Sequence, residues 1–157
     1  GGRREPEFFS EWAESIPPGT LRLVYTPERD GQGWLLFNNG SKVRRSELLH
    51  HNPTRLAHCL MNASKEGRSV VPRSELRSWL RFKAPKGTTA PREAQLFRDR
   101  CKAAANKVRA ALESIGAGDM PRARRMCRTQ EEFVPIARDR TEYSLPKAIS
   151  AVDILRD

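Results

Sequence analysis

The chain has 157 residues, with 29 Lys and Arg against 19 Asp and Glu, for a formal net charge of +10 with histidine neutral. That length suits one domain with an arm and is short for two, and the charge excess points to a polyanion, of which nucleic acid is the commonest. There is no membrane-length apolar run, no basic amphipathic helix with the broad apolar face of an interfacial anchor, and no charged start leading into a signal-peptide core. A soluble, cytoplasmic protein with no membrane partner is therefore expected.

Gly1 and Gly2 read as a tag scar outside the fold and hint that the chain is a piece of something longer. Residues 6–16 suit a short amphipathic helix with Phe8 or Phe9, Trp12 and Ile16 on one side, ended by Pro17-Pro18-Gly19, so 1–19 is read as an arm. Two β-prone runs follow, 21–25 and 34–37, separated by a cluster of Pro, Asp and Gly that signals a turn. Asn38-Asn39-Gly40 is a strong hairpin signal, because a tight primed turn needs positive φ. The returning strand is expected over 41–45.

At Asn52-Pro53 the apolar period changes from two to near 3.6, with Asn52 as N-cap, Pro53 as first helical residue and Glu66-Gly67 as the end. Leu56, Cys59, Leu60 and Ala63 mark its buried side. A short extended piece leads to a second helix with Leu76, Trp79 and Leu80 as an apolar triad and Arg73, Arg77 and Arg81 on its other side. Loop 82–90 is basic and carries Pro and Gly.

The long helix that follows, about 91–115, has the clearest pattern. Phe97, Cys101, Ala104, Val108, Leu112 and Ile115 recur at steps of three and four, forming one stripe that must be buried. Thr88 or Thr89 can cap it, Pro91 suits its first turn, and Gly116 can supply the left-handed residue that ends it. Opposite the stripe lie Gln95, Asp99, Lys102 and Asn106, flanked by Arg98, Lys107 and Arg109. A solvated face usually has mixed charge, whereas residues 92–109 hold six Lys or Arg against two acids.

An Arg-rich linker then leads to a second expected hairpin, 133–138 and 141–145, with Val134, Ile136, Tyr143 and Leu145 inward. The tail 147–157 reads as either a final helix or a strand docked on the body. The expected fold is α+β, with an N-terminal antiparallel sheet, three central helices and a C-terminal hairpin.

This order of elements is that of a winged helix-turn-helix. The stretch 52–80, with its Pro-Thr helix start, Val-Val pair and Glu-Leu helix ending in Trp, resembles the DNA-binding effector domain of the OmpR/PhoB family of response regulators. Residues 107–114 are similar to the end of that family's recognition helix, and 133–145 to its wing. The resemblance covers roughly 20–146. Asp139 to Glu142 stand where the family wing usually turns through glycines, the linker before it is longer and richer in Arg, and the chain holds no receiver domain.

The resemblance implies a sequence-specific regulator of transcription that binds double-stranded DNA, acts as a homodimer on repeated half-sites and offers loop 82–90 to RNA polymerase. It would place Arg138 and Arg140 on the wing, near the minor groove or its backbone. Independently, Lys102 and Asn106 are one turn apart; Lys can donate to guanine and Asn can pair with adenine, while Arg98, Lys107 and Arg109 suit phosphates. The competing reading is a winged-helix interaction module or an accessory subunit of a nucleic-acid-processing complex.

No nucleophile, base and orienting group stand in a recognisable motif. His50, His51, His58 and Cys59 are interrupted by a helix start and lack the spacing of a zinc set. Neither an enzyme nor a cofactor is expected. Cys59, Cys101 and Cys127 are widely spaced, and Cys59 and Cys101 sit on apolar helix faces as small hydrophobes.

Overall fold

The computed structural model describes residues 15–26, 31–121 and 141–156. The expected arm helix, apart from Ser15 and Ile16, and the wing residues 133–140 lie outside the described residues. Among those described, the strands are β1 (Thr20–Tyr25), β2 (Gln32–Asn38), β3 (Val43–Arg45), β4 (Leu49–His50), β5 (Val71–Pro72), β6 (Glu142–Tyr143) and β7 (Ala151–Leu155). The helices are α1 (Asn52–Lys65), α2 (Leu76–Trp79, preceded by a 3-10 turn, Arg73–Glu75) and α3 (Ala90–Ser114).

β1 and β2 pair antiparallel, with Leu23 opposite Leu35. β3 and β4 both pair with β2, one at each end. Between them the ladder is carried by Ser46, whose N–H donates to the Leu35 carbonyl and whose Oγ accepts from the Leu35 N–H at 3.0 Å. The hairpin at the Asn-Gly turn is displaced by two residues from the expected register, with Asn38 opposite Val43. Asn39 Oδ1 accepts from the N–H groups of Ser41 and Lys42, Gly40 takes φ 101°, and the returning strand starts at Val43 rather than Ser41.

The sheet is apolar on both faces, which accounts for the unbroken run at 34–37. Leu21, Leu23, Tyr25, Leu35 and Phe37 belong to the main core beneath the helices, whereas Val24, Trp34 and Leu36 pack with Ile16 on the other side. The tail resolves as a strand: β7 lies parallel to β1, from Thr20 opposite Ala151 to Val24 opposite Leu155. The sheet is therefore mixed, and the expectation of a purely antiparallel one is corrected. An apolar strand such as β1 would otherwise present unpaired N–H and C=O groups along its outer edge, and β7 covers them. Arg22 and Asp153, opposite each other in this register, close a bidentate pair at 2.7 and 2.8 Å.

α1 begins one residue earlier than expected. Asn52 lies inside the helix, and His51 is its cap, held at φ 53° with no side-chain capping bond. Its N–H donates to the Gly31 carbonyl and its carbonyl accepts from Arg55 N–H, so the start of α1 is set by the β1–β2 loop rather than by Asn52. The C-terminus follows the sequence signal. Gly67, at φ 80°, lets its own N–H and that of Arg68 reach back to the carbonyls of Ser64 and Ala63, the double bond of a Schellman cap.

α3 is capped by Thr89, whose Oγ1 accepts from Arg92 N–H, and is closed by Gly116 at φ 77° with the same double bond to Glu113 and Leu112. Its expected stripe, from Phe97 to Ile115, is buried throughout and packs in one core with Leu56, Leu60 and Met61 of α1. Each such large side chain contributes roughly 1.5–3 kcal/mol by leaving water.

α2 departs from its sequence pattern. Leu76 and Leu80 are buried as expected, but Arg73 is only 8% exposed and its Nη2 donates to Thr141 Oγ1 at 2.9 Å. The reason is a small second sheet, in which β5 pairs antiparallel with β6, Val71 facing Tyr143. Arg77 lies over the rings of Phe82 and Phe97 and pairs with Glu93 at 2.8 Å, so the start of loop 82–90 is pinned to α3. Cys59 and Cys101 are buried, and burial together with the neighbouring Glu75 pushes the Cys59 thiol up to about 12.

Two outcomes follow from this packing. A Cβ on Gly33 would stand 2.7 Å from the Val24 carbonyl oxygen, at the end of the β1–β2 ladder where Gly33 faces Tyr25. Gly33→Ala should therefore cost about 1–3 kcal/mol of unfolding free energy in a urea titration. His58 is half-buried between Tyr25, whose hydroxyl bonds its Nδ1, and Trp79. Burial, then the charges of Arg156 and Lys65, hold its pKa below 6.5. The unfolded chain takes up this proton more readily, so stability should fall as pH drops below 6.5 and level off once the folded state is also protonated. Substituting His58→Gln should flatten that part of the stability profile.

Candidate nucleic-acid interface

The outward surface of α3 is fixed by its buried stripe, because residues on one side of a helix leave the other side no choice of direction. At 25 residues the helix is about 37 Å long. Gln95, Arg98, Asp99, Lys102, Asn106 and Lys107 are all exposed on it, as the sequence implied. The acid among them is engaged locally. Gln95 Nε2 donates to Asp99 Oδ1 at 2.8 Å while Gln95 Oε1 accepts from Arg98 Nη2 at 2.7 Å, so three side chains form one ordered row.

Arg109 is placed differently from expectation. It is 8% exposed, its Nε lies 3.3 Å from the Met120 carbonyl oxygen and 3.5 Å from Asp119 Oδ1, and its Nη1 donates to Asn106 Oδ1 at 2.9 Å. The loop after Gly116 folds back along the helix, bringing the Met120 carbonyl to the Arg109 guanidinium, and Met120 itself is fully buried. Arg109 is thus a clamp between helix and loop that also orients Asn106. It is not an exposed phosphate anchor.

A groove of about 440 Å³ runs along one flank of this surface. One wall is Gln95, Arg98, Asp99, Lys102, Asn106 and Arg109; the other is Arg73 with Thr141, Glu142 and Tyr143 of the small sheet, and Pro121 stands at its end. Six of the residues singled out from sequence are therefore brought together. Lys107 is exposed but does not line the groove, since one residue past Asn106 turns it about 100° around the helix. Arg138 and Arg140 lie outside the described residues.

The wall opposite α3 was missed in the sequence. Arg73 looked like part of a solvent face, and its burial arises from the pairing of residues 71–72 with 142–143, for which no local signal exists. The groove offers donors (Arg98, Lys102), an amide held in one orientation (Asn106) and acceptors (Asp99, Glu142). That mixture suits recognition by hydrogen bonding more than covalent chemistry. Among the described residues no three His, Cys, Asp or Glu gather as a metal set, and no helix is long and apolar enough to cross a membrane.

In comparisons with known proteins, the chain matches no family model, no curated protein and no solved structure.

The clamp gives a measurable outcome. Arg109→Met should lower the unfolding free energy by about 1–3 kcal/mol, because it removes hydrogen bonds made by a buried charge. A residue on an exposed helix edge would change it by only about 0.5 kcal/mol or less, so equilibrium denaturation of this variant separates the two placements.

Proposed function

We propose that this protein is a sequence-specific double-stranded DNA-binding regulator of the winged helix-turn-helix type, with α3 as the element that enters the major groove. The observation that carries this reading is the exposed, ordered row of polar side chains on a long helix whose opposite side is locked into the core. A helix about 10–12 Å across fits the major groove, where each base pair presents its own pattern of donors and acceptors. Lys102 can donate to guanine. Asn106, its carbonyl already accepting from Arg109, keeps its amide N–H groups and one acceptor direction for a base edge.

The order of elements supports the same reading. A strand between the first two helices pairs with the strand after the third, as the likeness to OmpR/PhoB effector domains would require of a wing base. Arg98 and Lys107 stand on opposite sides of the outward face, in reach of the two phosphate backbones that flank a groove; such contacts set register without reading sequence. Loop 82–90, anchored by Phe82 and exposing Lys83 and Lys86, is the surface for RNA polymerase in this scheme. One helix reads only a few base pairs, so a homodimer on repeated half-sites in the cytoplasm completes the reading.

Selection of bound sequences from a random duplex pool tests it directly: one enriched motif is expected, and equal affinity for every duplex would point instead to an accessory or interaction module. Replacing Lys102 or Asn106 with Ala should cost about 1–3 kcal/mol on the selected site and relax preference at one or two positions. Removing Arg98 should weaken all duplexes alike and reduce the slope of log affinity against log salt by about one unit.

A further inference from the structure

Two exposed amides on α3 differ in what their partners permit. Gln95 is engaged at both ends, since its Nε2 donates to Asp99 Oδ1 and its Oε1 accepts from Arg98 Nη2. Asn106 is held at its oxygen, where Arg109 Nη1 donates to Oδ1 at 2.9 Å. A guanidinium carries donors and no acceptor, so the amide cannot be turned over without setting N–H against N–H. The partner's chemistry therefore fixes the orientation of Asn106. Its Oδ1 is drawn toward the helix body, and Nδ2 is left as the outer end of an exposed side chain.

Arg109 can impose this orientation because it is itself fixed. It is 8% exposed, and its Nε lies 3.3 Å from the Met120 carbonyl oxygen and 3.5 Å from Asp119 Oδ1, so the guanidinium is anchored at the end away from Asn106. An amide oxygen that accepts from a cation is also polarised, which makes the N–H groups of the same amide stronger donors and the oxygen a poorer acceptor for a second partner. Asn106 thus offers donation. One turn before it stands Lys102, whose ammonium has donors only, and both side chains are exposed and line the same groove.

In the major groove guanine presents two acceptors, N7 and O6, whereas adenine presents N7 beside the donating N6 amino group. The bidentate pairing of Asn with adenine uses its oxygen as well as its nitrogen. With that oxygen drawn inward, the adenine pairing loses one of its two bonds. We infer that Arg109 is a positioning residue that sets the base choice of Asn106 to guanine in place of adenine, so that Lys102 and Asn106 together read a guanine-bearing edge of the duplex. The inference rests on the proposed entry of α3 into the major groove and adds to it which base is chosen and which buried residue decides the choice.

The test takes the full chain and the duplex enriched from a random pool, then the four duplexes that differ at the one base pair where Asn106→Ala removes discrimination. The parent should prefer guanine over adenine there by about tenfold. Arg109→Met frees the amide to rotate, and the preference should fall to about threefold or less, or pass to adenine, while choice at the other positions is kept. Asn106→Asp is isosteric, keeps an acceptor for Arg109 and turns an oxygen outward, so guanine should give way to cytosine, whose N4 amino group donates. Uniform weakening of Arg109→Met on all four duplexes would mark Arg109 as structural and overturn the inference. Adenine at that position in the parent's motif, or an Asn106→Ala variant that leaves every position unchanged, would overturn it too. Each of these results leaves an enriched motif and hence the DNA-binding reading in place, whereas a pool with no enriched motif would overturn both. If Arg109→Met fails to fold, Asn106→Asp decides: exchange of guanine for cytosine upholds the inference, and retained guanine or equal affinity for the four overturns it.

Discussion

The direction in which α3 faces, and with it every side chain it offers outward, depends on its packing against α1. The stripe from Phe97 to Ile115 removes one side of the helix from water, and interiors packed at crystal-like density do not allow it to rotate by a fraction of a turn. A rotation of one residue would bring Lys102 or Asn106 toward Leu56 and Met61 and leave Val108 exposed. The cost of burying a charge or an unpaired amide exceeds any local gain. The side chains offered outward are thus determined by the apolar ones opposite, and by the two end caps, Thr89 and Gly116, that hold the helix to its length.

Around that fixed helix, charge is arranged in two ways. Exposed arginines are tied lightly, as Arg98 is to Gln95, or lie over aromatic rings, as Arg77 and Arg100 do over Phe82. Interactions of that kind are worth about 1 kcal/mol or less in water. Arg73 and Arg109 instead lie under other groups, each joining α2 or α3 to a segment distant in sequence or folded back upon it. The net charge of +10 is therefore not one property: part of it is available to a partner, and part serves as internal fastening.

How much of this the sequence disclosed follows from the range over which each signal acts. The limits of α3, its buried stripe and the exposure of Gln95, Arg98, Asp99, Lys102 and Asn106 were legible, because a helix is specified by residues three and four apart and by its caps. The α1 cap was misplaced by one residue because a carbonyl from the β1–β2 loop, not the Asn52 side chain, sets His51. The Asn-Gly turn was found but its register slipped, since Asn39 uses its side chain to hold the loop. The parallel β7, the β5–β6 pair and the burial of Arg73 and Arg109 were not legible. Each depends on a contact between segments whose sequences carry no record of one another.

The Arg22–Asp153 bridge joins residues 131 apart in sequence, and this separation bears on how the protein reaches its native state. Chain entropy must be lost before so distant a pairing returns anything, so β1 and β7 are expected to join late and to place the protein among slower folders of its size. On the ribosome, residues 20–50 emerge well before 151–155. Until the latter arrive, β1 has a partner on one side only, and its other edge is an apolar template open to any passing strand. The charged Arg22 in the middle of that edge then acts as a gatekeeper: alone in a stray pairing it meets no acid, whereas beside β7 it meets Asp153.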